Sequence, residues 1–91
     1  PGDMRASVPT SVRVVLADKS GQAVTPDQVT FFAYRPSDKS QDFSAPMTDM
    51  GGGRFVARLA FPLYGHWDWL IAVRQDADEY TTGGRLVVAK P

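Results

Sequence analysis

The stretch Arg54-Phe55-Val56-Ala57-Arg58-Leu59-Ala60-Phe61 decides between strand and helix. Phe55, Ala57, Leu59 and Phe61 are all apolar, while two of the four residues in the opposite phase, Arg54 and Arg58, are charged. Side chains of a strand point alternately to its two faces, so this pattern buries one face and wets the other. A helix anchored at Phe55 would need apolar residues at 58, 59 and 62, but two of those places hold Arg58 and Pro62. The stretch is a strand. It is entered through Gly51-Gly52-Gly53, a tight turn, and left through the short connection Pro62 to Gly65.

The same period of two extends in both directions. Downstream, Trp67, Trp69, Ile71 and Val73 alternate with His66, Asp68, Leu70, Ala72 and Arg74. Upstream, Val12, Val14 and Leu16 oppose Ser11 and Arg13, and the turn Asp18-Lys19-Ser20-Gly21 follows. Val29, Phe31 and Ala33 then oppose Thr30, Phe32 and Tyr34, until Pro36 in Arg35-Pro36-Ser37-Asp38 stops the strand. Residues 41–49 alternate through Phe43, Ala45 and Met47 with Pro46 between them, which predicts one edge strand whose missing N–H faces water. Asp76-Ala77-Asp78-Glu79 reads as an exposed acidic loop. A last strand is expected from Tyr80, bulged at Gly83-Gly84 and continuing through Leu86 and Val88. Residues 1–10 read as an irregular lead-in and 11–91 as one domain. Six to seven short strands with turns every eight to twelve residues predict an all-β fold, an antiparallel β-sandwich of about seven strands. A closed barrel of similar strand number satisfies the same pattern.

Composition agrees. With 91 residues there is room for one core, and 43% hydrophobic residues suffice to fill it. Nine of the ten acidic residues are Asp, and Val occurs ten times, a balance that suits turns and strands over helices. Ten basic residues against ten acidic ones give zero net charge, which leaves no basic footprint for nucleic acid. No cysteine is present, so disulfides, thiolate metal sites and cysteine nucleophiles are excluded. No apolar run approaches the roughly 18 residues of a membrane helix. The sequence opens at Pro1 without a Met, which reads as a trimmed chain whose membrane anchor or signal has been removed.

Residues that could carry chemistry are few. His66 is the sole histidine, and it stands beside the Gly65 turn in the polar phase. No G-x-S-x-G elbow or H-E-x-x-H pair accompanies it, so neither a catalytic residue nor an enzyme is expected. The aspartates cluster in turns, and Asp76-Ala77-Asp78-Glu79 lacks the glycine and terminal ligand of a calcium loop. Met47 and Met50 with His66 are the ligand types of a copper site, although the alternation assigns Met47 to the core. Trp67, Trp69 and Phe61 would suit a carbohydrate platform, but they share the phase of the core residues. Phe32 and Tyr34 stand together on the opposite face of their strand. Adjacent exposed aromatics mark a contact surface, and these two are the candidate partner contacts.

From Phe31 to Val88 the chain resembles the soluble domain of the FixH family. The resemblance rests on Tyr34-Arg35-Pro36-Ser37-Asp38, on Gly53-Arg54-Phe55, and above all on Pro62-x-x-Gly65-x-Trp67-Asp68 leading into Leu70-x-x-Val73. The turn Leu16-x-Asp18-x-x-Gly21-Gln22-x-Val24 fits too, and is shared with YtkA-like sandwich domains. The resemblance implies an immunoglobulin-like domain on the periplasmic face of the inner membrane, held by one N-terminal helix. It further implies a role, in the setting of nitrogen fixation, beside FixG, FixI and FixS proteins in maturing a haem–copper terminal oxidase, with copper supply implicated. It brings no catalytic residue, no bound cofactor and no nucleic-acid partner.

Overall fold

The computed structural model describes residues 4–22, 24 and 26–91; Pro1, Gly2 and Asp3 of the expected lead-in lie outside the described residues. Seven strands form: β1 (Thr10–Val15), β2 (Gln28–Tyr34), β3 (Phe43–Pro46), β4 (Thr48–Gly51), β5 (Arg54–Leu59), β6 (Gly65–Gln75) and β7 (Asp78–Val88). They pair antiparallel into a three-stranded sheet, β1-β5-β4, and a four-stranded sheet, β3-β2-β6-β7. This order matches B-E-D in one layer and C′-C-F-G in the other, the arrangement of immunoglobulin-like sandwiches. The sandwich is therefore open. Among the described residues the helical content is one short 3₁₀ turn, Lys39–Gln41.

The alternation read from sequence is what faces the two layers together. Val29, Phe31 and Ala33 of β2, Phe55, Ala57 and Leu59 of β5, and Trp67 and Ile71 of β6 are all buried in one core. Trp67 and Phe61 are wholly inaccessible, and Phe31 is 1% exposed. Burying each such aromatic contributes about 1.5–3 kcal/mol over leaving it in water. Val12 and Val14 of β1 are half-buried against the same cluster.

Three segments depart from the expected outline. Residues 41–49 form two edge strands, one in each layer, instead of one. The Met47 N–H still donates to Val29 O (2.8 Å) in the four-stranded sheet, while Thr48 already opposes Val56 in the other. Pro46 has no N–H with which to extend β3, and the buried Met47 side chain carries the chain across the core's margin. The second departure is β7, which starts at Asp78, so that Asp78 and Glu79 belong to the strand and only Asp76 and Ala77 turn. Its ladder with β6 runs without a break from Gly65↔Val88 to Gln75↔Asp78, and no bulge occurs at the glycines. Gly83 and Gly84 serve close packing instead. A Cβ on Gly83 would lie 2.7 Å from Trp69 O, and one on Gly84 would lie 3.1 Å from Trp69 Nε1. The third concerns Met4 to Ser7, which are tied to the sandwich. Arg5 bridges Ala89 in parallel, Ala89 N–H donates to Met4 O (2.7 Å), and Ser7 N–H donates to Phe61 O (2.7 Å).

The close approach at Gly83 is directly testable. Gly83→Val is expected to lower unfolding free energy in urea by about 1–3 kcal/mol, the scale of overpacking against fixed backbone. Thr82→Val, at an exposed neighbour, should change it by less than about 0.5 kcal/mol.

Candidate functional site

The segment that follows β2 and the connection that precedes β6 meet in space at the end of the sandwich where β6 begins. Trp67 projects inward, and its indole Nε1–H donates to Leu63 O at 3.0 Å, so the connection Pro62 to Gly65 closes around the ring. Phe61 and Phe43 contact the indole at centroid distances of 5.3 and 5.7 Å. The guanidinium of Arg35 covers it, with Cζ 5.3 Å from the ring centroid. Arg35 Nη1 donates to His66 O (3.1 Å), Nε donates to Ser37 Oγ (3.2 Å), and the backbone N–H donates to Asp42 Oδ1 (2.6 Å). Gly65 makes this possible twice over. Its φ of +111° is one that side chains rarely tolerate, and a Cβ there would sit 3.1 Å from both Arg35 terminal nitrogens.

Beside this closure lies the outer face of the four-stranded sheet. Phe32 and Tyr34 point outward from β2, with rings stacked at 6.2 Å and an interplanar angle of 7°. Tyr34 is 40% exposed and Phe32 is half-buried. One row across the sheet reads Ser44, Phe32, Leu70, Gly83, and the next reads Tyr34, Asp68, Arg85. Gly83 presents no side chain, so Phe32 and Leu70 stand on a flattened strip. Arg85 Nε donates to Asp68 Oδ1 at 2.8 Å along its margin, and this bond holds the Asp68 carboxyl below its ordinary range. The reading from sequence places neither Leu70 nor Gly83 in a contact face and takes Gly83 as part of a bulge. Leu70 shares the outward phase of His66 and Asp68, a signal that could have found it; nothing local reveals that Gly83 lies opposite.

The remaining candidates are dispersed. Met47 is buried at the strand crossing, whereas Met50 is 60% exposed on the opposite layer. His66 is exposed and lines a shallow cleft of about 420 Å³ with Arg35, Ser37, Tyr64 and Arg85. Met50 lines a separate one with Arg13 and Arg54, so the structure does not gather Met47, Met50 and His66 into one ligand set. Within the His66 cleft two polar groups have other engagements: Ser37 Oγ accepts from Arg35 Nε, and Arg85 Nε donates out of the cleft to Asp68. Trp67 is inaccessible, and Trp69 packs half-buried against the core over Gly84, so the two indoles form no common exposed platform.

Two turns flanking β2 use an aspartate as expected. Asp18 Oδ1 accepts from Ser20 Oγ (2.6 Å), Ser20 N–H (2.9 Å) and Gln22 N–H (3.0 Å). Asp38 Oδ1 accepts from Ser40 Oγ (2.6 Å) and Ser40 N–H (3.0 Å), capping the 3₁₀ turn. The serine hydroxyl is the chief reason that each carboxyl titrates below the ordinary 3.8.

Among known proteins, the family model of FixH matches residues 3–87 of the chain. No curated protein and no solved structure matches.

Two measurements check this geometry. Arg35→Met should cost about 1–2 kcal/mol in urea unfolding and alter the near-ultraviolet dichroism of Trp67, because a charge-assisted hydrogen bond and the ring's cover go together. An NMR titration should place the Asp18 and Asp38 midpoints below 3.8, with Ser20→Ala returning Asp18 toward that value. The sign follows from the lowered values. Both turns keep their full contribution above the ordinary carboxyl range and lose it as pH falls through the depressed midpoints.

Proposed function

The chain belongs to the FixH family, and from that membership we propose a non-enzymatic domain acting by protein contact in the assembly or copper maturation of a haem–copper terminal oxidase. In this reading it works at the periplasmic face of the inner membrane, carried on a single-pass anchor. Its partners are FixG-, FixI- or FixS-like membrane proteins or the oxidase itself. FixH is not a known enzyme family, and in this reading the domain itself carries no cofactor.

The observation that carries the contact part is the stacked pair Phe32 and Tyr34 beside Leu70, on a sheet face whose other residues are mostly polar. Rigid aromatics on a strand lose little conformational freedom when covered, which is why such residues anchor interfaces. The Trp67–Arg35 closure fixes the end of β2, so the pair is presented in one orientation. The alternative of a copper-binding module draws no support from the placement of Met47, Met50 and His66, which line no common cavity.

Replacing Phe32 and Tyr34 together by Ser is expected to reduce co-purification with the membrane partners several-fold while leaving the thermal midpoint nearly unchanged. Met50→Ser, at an exposed site on the other sheet, should do neither. A large fall in thermal midpoint would reassign the aromatics to the fold, and undiminished co-purification would remove this face from the interface.

A further inference from the structure

The outer face of the other sheet carries a charge of one sign. Ser11, Arg13 and Val15 point outward from β1, opposite Arg58, Val56 and Arg54 of β5. Thr48 of β4 joins this face opposite Val56, and Met50 lines its cavity with Arg13 and Arg54. The only charged side chains here are three arginines, in a molecule of zero net charge. None of the three is joined to a carboxylate among the described residues. Beside Arg13 and Arg54 lies a shallow cavity of about 540 Å³ with Val15, Val56 and Met50 in its lining. Val15 is 69% exposed and Met50 60%, so apolar surface and unneutralised positive charge occur together.

The same strand has an open edge. Four strands border the two sheets, and three carry devices that discourage further pairing. β3 is four residues long and ends at Pro46. β4 is equally short and its register shifts between Asp49 and Gly51. β7 carries Asp78, Glu79 and Arg85, has two central glycines, and is continued by the Arg5–Ala89 bridge. β1, Thr-Ser-Val-Arg-Val-Val, has no proline, glycine or bulge and is rich in β-branched residues. Only β5 pairs with it among the described residues.

We infer that β1 accepts an added strand: an extended, acidic segment of a partner protein whose outward carboxylates meet Arg13, Arg54 and Arg58. Such a strand would lie about 4.8 Å from β1 and about 10 Å from β5, within reach of arginine side chains on both. A carboxylate opposite Arg13 would be bound directly, with neighbours two residues away facing Arg58 or Arg54. Apolar residues in the other phase would extend the margin of the core beside Val12 and Val14. A second copy of this chain fits less well, because pairing β1 with β1 brings one arginine face alongside another. A lipid surface could neutralise the arginines but cannot satisfy the edge N–H and C=O groups of β1. This surface is on the opposite layer from Phe32 and Tyr34, so it stands or falls independently of the contact proposed there.

The test uses the 91-residue chain with three probes: a short end-capped peptide alternating Glu and Val, its Lys–Val counterpart, and phosphatidylglycerol vesicles, followed by backbone amide NMR. The Glu peptide should bind saturably, perturb Thr10–Val15, and slow amide exchange along β1. Arg13→Gln with Arg58→Gln should weaken binding about tenfold, the scale of one or two charge-assisted hydrogen bonds, and Arg74→Gln should leave it unchanged. Absence of saturable binding, equal affinity for the Lys peptide, perturbation centred on Phe32 instead of β1, equal weakening by Arg74→Gln, or saturable binding to vesicles alone would each overturn the inference.

Discussion

The buried indole of Trp67, held by a carbonyl beneath and a guanidinium above, is the contact on which the rest of the molecule depends. The Trp67 side chain is wholly inaccessible, so its N–H would be costly if unmet. Leu63 O meets it at 3.0 Å, and that bond sets the path of the connection leading into β6. The ring's remaining surface is covered by Phe43, Phe61 and Arg35, contributed by both layers and by the segment after β2. A single side chain thus specifies how the sheets meet at one end. The hydrogen bond from Arg35 to His66 O then fixes the end of β2 relative to the start of β6.

This arrangement explains why the residues that carry the family resemblance are structural ones. Tyr34-Arg35-Pro36-Ser37-Asp38 and Pro62-x-x-Gly65-x-Trp67-Asp68 lie about thirty positions apart, yet they are two halves of one closure. Gly65 is small because Arg35 is there, and Arg35 is held because Trp67 is below it. The outward faces of the sheets have no such constraint, and they have diverged in character. One presents stacked aromatics on a strip flattened by Gly83; the other presents arginines around exposed valine and methionine.

How much of this could be read from the chain depends on the range of the interaction. The inward sets Val29, Phe31, Ala33 and Phe55, Ala57, Leu59 follow from alternation alone, because burial on one face leaves a period of two. The outward placement of Phe32 and Tyr34 follows from the same rule. The break at Met47 does not, since Phe43, Ala45 and Met47 keep phase while the chain changes layers, and period says nothing about which sheet a strand joins. Gly83 and Gly84 resembled a bulge because glycine within a strand signals either irregularity or close approach. Only the position of Trp69 across the ladder decides between them. The Arg35–Trp67 contact and the arginine face were likewise invisible, as each joins residues distant in sequence.

The crossing at Met47 has a consequence for how the domain moves. A single residue separates the last pairing of β3 from the first of β4, so the two layers are hemmed together along that border. A second link runs through Met4 to Ser7, with Ala89 N–H on Met4 O just past β7 and Ser7 N–H on Phe61 O just past β5. Layers joined at two separate places cannot slide or splay without breaking one of these links. Any signal that a bound partner imprints on one broad surface is therefore conveyed to the other as a rigid displacement of the whole plate, not as a local flexing.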